Sequence, residues 1–169
     1  MEASISSIII DGYNLIGIDH TNLEAERRQL IELLIKYRKK KGHSVTVVFD
    51  GWKGGSRTES SSVRGGVNII YSRLGEKADS VIKKIISTDR REWIVVSSDR
   101  EIAAHAWSTG SVPVASGRFI DLIVKSKGHC QEADEAEDDE DYGINISRKG
   151  NPGRLSKKER AIQRALGKL

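Results

Sequence analysis

The chain has 169 residues, of which 37% are hydrophobic and 31% charged, and its formal net charge is +4. This length suits one domain of ordinary size followed by a tail. The single cysteine, Cys130, cannot form an intramolecular disulfide, and no Cys/His cluster has the spacing of a zinc site. The apolar runs are too short to span a bilayer, and the first residues do not resemble a signal peptide, so we expect a cytoplasmic protein with no membrane partner.

Short β-branched runs alternate with helical patterns along the first 127 residues. Strands are predicted over 5–10, 45–49, 67–71, 93–96 and 112–114. Helices are predicted over 21–41, 76–87 and 117–127, and another begins at Ser98. This alternation predicts an α/β fold, with a mainly parallel sheet covered by helices on both faces.

Local sequence motifs refine these predictions for the first 127 residues. The spacing of Thr21 to Glu24, and of Ser98 to Glu101, is typical of helix capping boxes. Asp11 and Gly12 predict a turn after the first strand. Residues 51–66 are rich in Gly and Ser and are predicted to form a mobile loop, whereas Pro113 places the last strand at a sheet edge.

The charges divide the chain into three parts: a folded domain over 1–130, a disordered acidic linker over 131–150 and a basic tail over 151–169. Eight acidic side chains lie between 132 and 141, and eight basic side chains lie between 148 and 168. A short helix is predicted over 155–169, with Ser156 and Glu159 as its cap. The body is basic by itself, which favours a polyanionic partner.

Three predicted strands end at or beside an aspartate, namely Asp11, Asp50 and Asp99. A fourth, Asp79, begins the helix after the third strand. Each has a local explanation as a turn residue or as a charge that suits a helix N-terminus. Because ligands gather at the carboxyl ends of parallel strands, however, the four carboxylates are expected to converge there and to need a cation between them. Oxygen ligands alone suit Mg²⁺ or Mn²⁺.

Polar and basic side chains around these aspartates suit a long anionic substrate. Asn14 could hold a phosphate oxygen or a ligated water, or be an ordinary turn residue. The other candidate substrate contacts are Trp52, Lys53, Arg57, Arg64, Arg73, Lys77, Ser98 and Arg100. The sequence lacks the phosphate-binding loop of ATPases, the Gly-rich fingerprint of dinucleotide sites and the serine elbow of α/β-hydrolases, so those classes are disfavoured.

Four segments in this order resemble motifs of the YacP-like branch of NYN-domain proteins, within the PIN-like nuclease superfamily. They are IIIDGYNLI at 8–16, VVFDG at 47–51, GEKAD at 75–79 and VVSSD at 95–99. The resemblance covers residues 5–127 and implies a PIN-like three-layer α/β/α fold with a metal-dependent ribonuclease activity. It implies an acidic centre formed by Asp11, Asp50, Asp79 and Asp99, with Asn14 matching the motif's Asn and Ser98 contributing a hydroxyl. Glu76 and Asp79 both remain candidates for the third acidic position.

The sequence thus predicts an endoribonuclease that cuts RNA at an aspartate cluster with Mg²⁺ or Mn²⁺, on mRNA or on RNA associated with the ribosome. Asp11 and Asp99 are the expected direct ligands, and Asp50 and Asp79 complete the centre or act through water. The alternatives are a non-catalytic RNA- or ribosome-binding module with a vestigial site and, more remotely, a small-molecule phosphatase. The tail could bind RNA or a ribosomal surface, or its acidic part could screen the basic cleft. The oligomeric state is left open.

Overall fold

The computed structural model describes residues 5–16, 22–51, 57–125 and 155–169. Its strands are β1 (Ser7–Asp11), β2 (Ser44–Phe49), β3 (Ser60–Arg64), β4 (Val67–Tyr71), β5 (Trp93–Val96) and β6 (Val112–Val114). Its helices are α1 (Gly12–Ile16), α2 (Leu23–Lys41), α3 (Ala78–Thr88), α4 (Arg100–Ser108), α5 (Ser116–Lys125) and α6 (Lys157–Lys168).

The strands form one six-stranded sheet in the order β3-β4-β2-β1-β5-β6, parallel except for β3. β1 lies between β2 and β5, and its residues Ile8, Ile9 and Ile10 are fully buried. A strand covered on both faces needs such a continuous apolar run, which explains why the predicted strands show little alternation. β6 lies at the edge, as Pro113 predicts.

Two hydrophobic clusters lie on opposite faces of the sheet. Ile8 and Ile10 pack in a cluster with buried residues of α2, α5 and α6. Ile9 points the other way and packs in a cluster with buried residues of α3 and α4. Successive side chains of a strand alternate between faces, so one strand contributes to both clusters. The mainly parallel sheet with helices on both faces is confirmed.

The predicted loop over 51–66 is wrong in its second half, because β3 forms a hairpin with β4. Gly65 and Gly66 connect the two strands and have φ of 57° and 82°. Two consecutive residues with positive φ are typical of a type I′ hairpin turn, which strongly favours glycine. β3 is exposed along its whole length, so its sequence carries no hydrophobic alternation by which it could have been predicted.

Three local predictions are also corrected. The predicted turn at Asp11–Gly12 leads directly into the short helix α1. The N-cap of α4 is Asp99 rather than Ser98, and the N-cap of α2 is Asn22, which accepts a hydrogen bond from the Ala25 N–H at 3.4 Å. Thr21 lies outside the described residues.

The basic tail contributes a helix, α6, that packs against the body. The predicted cap is confirmed, since Ser156 and Glu159 form a reciprocal capping box. Leu169 is 3% exposed, and its carbonyl oxygen accepts a hydrogen bond from the Tyr37 hydroxyl at 3.1 Å. The division into three parts stays a prediction, and the predicted linker over 131–150 lies outside the described residues.

His43 provides a second link between α6 and the start of β2. Its Nε2 lies 2.9 Å from the carbonyl oxygen of Lys168, and its Nδ1 accepts a hydrogen bond from the Ser6 N–H at 3.3 Å. This pattern requires the neutral tautomer with its proton on Nε2. Within the described part of the chain, no helix is long and apolar enough to cross a membrane.

Candidate acidic centre

Asp11 is the last residue of β1 and lies at the carboxyl edge of the parallel strands. Its Oδ1 accepts a hydrogen bond from the Asn14 N–H at 3.4 Å. The next residue, Gly12, packs against the ring of Phe49, and a Cβ there would lie 2.2 Å from that ring. Only glycine therefore allows the chain to turn into α1 so close to the end of β2.

Asp50 follows β2 at the same edge and is bonded to the start of α3. Its Oδ1 accepts a hydrogen bond from the Ala78 N–H at 2.5 Å. Ser72 holds the neighbouring turns together, because its hydroxyl accepts from the Gly51 N–H at 3.0 Å and donates to the Glu76 carbonyl oxygen. These bonds fix the direction of Asp50 relative to α3.

Asp99 follows β5 and caps α4. Its Oδ1 accepts hydrogen bonds from the N–H groups of Glu101 at 2.7 Å and Ile102 at 3.3 Å. Like the Ala78 bond to Asp50, these bonds involve only the Oδ1 atom. Each carboxylate is thereby oriented by a helix N-terminus, where a negative charge is favourable.

Asp79 lies in the first turn of α3 and is paired with Lys83. The Lys83 Nζ is 3.0 Å from Asp79 Oδ2 and 3.3 Å from Glu101 Oε2, so it also joins α3 to α4. Asp79 Oδ1 is buried and has no hydrogen-bond partner among the described residues. A buried carboxylate oxygen without a donor is costly, and it marks a place where a cation would be favourable.

The electrostatics of Asp11 link the four aspartates. Burial raises the pKa of Asp11 from 3.8 to about 6, although the Asn14 N–H favours the charged form. The negative charges of Asp50, Asp99 and Asp79 raise the pKa further. The fold therefore brings Asp50, Asp99 and Asp79 close enough to Asp11 for their charges to act on it, as like charges in one region do.

The aspartates do not form a ready-made cation cage. Over 5–16, 22–51, 57–125 and 155–169, no group of three or more His, Cys, Asp or Glu side chains could hold a metal ion. Glu76, the other candidate for the third acidic position, is paired with Arg73 at 3.2 Å. The charge of Asp79 is among those that raise the pKa of Asp11.

Asn14 is held by two loops from neighbouring strands. Its Oδ1 accepts hydrogen bonds from the Ser98 N–H at 2.8 Å and from the Ser116 hydroxyl at 2.5 Å. The Ser116 N–H donates in turn to the Ser98 hydroxyl at 3.2 Å. A backbone N–H can only donate, so the amide oxygen must face Ser98, and the Asn14 NH₂ group points elsewhere.

Sequence reasoning missed Ser116, which is 5% exposed and connects Asn14 to the start of α5. It comes shortly after β6, as Asp99 comes shortly after β5, and Asp11 ends β1. The signal that could have found it is the same one, a polar side chain just after a parallel strand.

The predicted substrate contacts are scattered. Arg57 is exposed and precedes the end of β3 that pairs with Tyr71, at the edge that carries the aspartates. Arg64 pairs with Val67 at the opposite edge and is 3.7 Å from Glu32, so the fold does not bring it to the aspartates. Trp52 and Lys53 lie outside the described residues.

The remaining predicted contacts flank α3 and α4. Lys77 is exposed and immediately precedes α3, and Arg100 is the exposed first residue of α4. Arg73 is engaged by Glu76. Lys77 and Arg100 thus lie beside Asp79 and Asp99.

Comparisons with known proteins agree with this architecture. The sequence profile of the YacP-like NYN domain matches residues 8–161. The chain belongs to this family. NYN domains are in general nucleases with a PIN-like fold, and RNA is the kind of partner that such a family fits.

Two solved structures are similar to the YacP-like chain described here. Both are of Rae1 (YacP) from Bacillus subtilis, one of them a tryptophan-to-leucine mutant. Each has a TM-score of 0.59 and 21% identity and covers 73% of this chain, with 77% of the mutant chain and 76% of the other covered. At this identity the likeness concerns the fold. No match is found among curated proteins.

Proposed function

We propose that this protein is a metal-dependent endoribonuclease that hydrolyses internal RNA phosphodiester bonds at Asp11, Asp50, Asp79 and Asp99. The observation that supports it most directly is the pKa of Asp11, which burial raises to about 6 with further increases from the charges of the other three aspartates. Burying a carboxylate among like charges costs stability, and a bound cation would offset that cost. Membership of a nuclease family supplies the reaction class.

The donor set suits Mg²⁺ or Mn²⁺ in its chemistry, since it consists of oxygen atoms. The absence of a three-carboxylate group among the described residues is compatible with Mg²⁺, which keeps several waters and binds through one or two carboxylates together with substrate phosphates. Asp11 and Asp99 are the proposed direct ligands, and Asp50 and Asp79 complete the centre or act through water. The unpartnered Oδ1 of Asp79 supports its inclusion.

The chain's own groups divide the remaining tasks. A bound divalent cation supplies Lewis acidity to the phosphoryl group. The Asn14 NH₂ group, directed by Ser98 and Ser116, donates to a phosphate oxygen or to a ligated water. Lys77 and Arg100 flank the centre with positive charge, and this attracts the RNA backbone. We propose mRNA or ribosome-associated RNA as the substrate.

The test is incubation of labelled RNA with the full-length protein, with Mg²⁺, with Mn²⁺ or with EDTA. We expect cleavage inside the RNA with either cation and none in EDTA. Asp11→Asn should reduce the rate at least a hundredfold, whereas Asp121→Asn, which changes an exposed carboxylate on α5, should not change it. Cleavage by the Asp11 variant at the parent rate would refute the assignment of the site.

One observation favours the alternative, an RNA-binding module without catalysis. The Lys83 ammonium lies 3.0 Å from Asp79 and neutralises the charge that a metal ion would otherwise neutralise. Such a module would bind RNA equally well in EDTA, lose affinity steeply with salt and cut nothing with either cation. The same incubations distinguish the two functions.

A further inference from the structure

Arg27 is a basic side chain whose surroundings suit an RNA phosphate. It is not among the substrate contacts that the sequence predicts. It lies in the first turns of α2, which begins at Leu23 and runs away from the aspartate edge towards the start of β2. α2 therefore begins at the edge where β1, β2 and β4 end. This places Arg27 at the same edge of the sheet as Asp11 and Asp50.

Aromatic side chains fix the position of the Arg27 guanidinium. Its Cζ lies 5.5 Å from the centroid of the Tyr71 ring, and its Nη1 donates a hydrogen bond to the Tyr13 hydroxyl at 3.4 Å. Tyr71 stacks on the buried Phe49, with centroids 5.7 Å apart, and Tyr13 packs edge-on against the same ring at 5.3 Å. Phe49 is fully buried, so the group rests on the core of the sheet.

Tyr13 also shows that this group borders the acidic centre. Burial raises the pKa of the Tyr13 hydroxyl, the Arg27 charge lowers it, and the Asp50 charge raises it. Arg27 and Asp50 thus both act on this hydroxyl. Tyr13 itself is two residues from Asp11 in α1.

The guanidinium keeps most of its hydrogen-bonding capacity. Within the described segments Arg27 makes no ion pair, whereas the next residue, Arg28, is paired with Glu24 at 3.4 Å. Arg27 is half-buried and Arg28 is exposed. A guanidinium has five N–H donors in a planar fork that matches two oxygens of a phosphate, and a cation packed on an aromatic ring loses less freedom when it binds.

We propose that Arg27 is a substrate-binding residue that holds a backbone phosphate of RNA beside the aspartates, with Tyr13 and Tyr71 as its positioning residues. The proposal rests on RNA being the substrate, as proposed above. A residue that binds a flanking phosphate stabilises the bound substrate and the transition state alike, so it acts on KM more than on kcat.

The test measures binding of a fluorescent single-stranded oligoribonucleotide to the full-length protein in EDTA, where no cleavage is expected. Arg27→Met should raise Kd about tenfold and reduce the slope of log affinity against log salt by about 0.7, the loss of one phosphate contact on a single strand. Arg28→Met removes the same charge from the next position and should raise Kd less than twofold. Arg27→Lys keeps the charge without the planar fork and should fall between the parent and Arg27→Met.

Cleavage assays complete the test: with Mg²⁺, Arg27→Met should raise KM about tenfold and leave kcat within twofold. Thermal unfolding of each variant identifies a change of fold. If Arg27→Met is unstable, the Kd of Arg27→Lys is compared with that of the parent instead. Equal effects of Arg27→Met and Arg28→Met on Kd would overturn the proposal, as would a parent protein that binds no RNA. A parent that binds RNA but never cleaves it refutes only the nuclease function, and the Kd comparison then decides the role of Arg27.

Discussion

Replacing Asp11 by Asn should stabilise the protein at neutral pH. A carboxyl pKa that rises from 3.8 in the unfolded chain to about 6 in the fold corresponds to about 3 kcal/mol, less what the partly exposed carboxylate recovers from solvent. The folded parent binds the Asp11 proton more tightly than the unfolded chain does. Protonation of Asp11 therefore stabilises the parent fully below pH 3.8, and this contribution is lost as the pH rises through 6. Asn has no such charge, yet its amide oxygen can still accept the hydrogen bond from the Asn14 N–H.

Urea unfolding at several pH values measures this effect. The free energy of unfolding of Asp11→Asn, minus that of the parent, should grow by about 2 kcal/mol between pH 4 and pH 7. Asp121→Asn is the matched control, and its difference from the parent should stay nearly constant. At pH 7.5, Mg²⁺ should stabilise the parent and not the Asp11 variant, since only a ligand that binds the folded state shifts the equilibrium. A difference between Asp11→Asn and the parent that does not change with pH would refute the electrostatic argument.

Two further predictions concern packing and pH. Gly51→Ala should destabilise the fold by about 3 kcal/mol, because its Cβ would lie 1.5 Å from the Ser72 carbonyl oxygen. The control Gly117→Ala, whose Cβ would have no atom within 4 Å, should change the stability by less than about 1 kcal/mol. Equal midpoints of urea unfolding for the two variants would contradict this prediction. Burial lowers the pKa of His43 below 6.5, so the unfolded chain binds the proton more tightly and stability should be lost as the pH falls through and below 6.5. Protonation would also oppose the Ser6 N–H at Nδ1, and His43→Gln should therefore lose less stability than the parent between pH 7.5 and pH 5, with equal losses speaking against this role.

The elements that the sequence predicted correctly are those whose local pattern agrees with their burial. Residues 93–96 and 112–114 were predicted with the bounds that the structure has, because each is an apolar run buried on both faces. The helix cap at Ser156 was also predictable, since both partners of a capping box are three residues apart. By contrast, β3 carries no apolar alternation, and only its pairing with β4 makes it a strand.

The N-cap of a helix could not always be predicted from the sequence. Ser98 and Asp99 are adjacent residues that can both cap a helix, so spacing alone could not choose between them. In the fold, Ser98 is used elsewhere: its N–H donates to Asn14 and its hydroxyl accepts from Ser116, which leaves Asp99 to cap α4. A competition of this kind is decided by residues that are far apart in the chain.

The sequence by itself determined the order of the parallel strands and of the longer helices along the chain, the three-layer architecture and the positions of the aspartates at the ends of parallel strands, because these depend on local hydrophobic patterns and on a general rule of sheet topology. Only the tertiary structure decided that Arg64 belongs to the opposite edge, that Lys83 of α3 also reaches Glu101 of α4, and that Arg27 lies on Tyr71 beside the acidic centre. The physical reason is that charge and aromatic contacts act over a few ångströms in space. Which side chains come that close is settled by how the sheet and its helices pack, and the linear spacing of the residues does not contain that information.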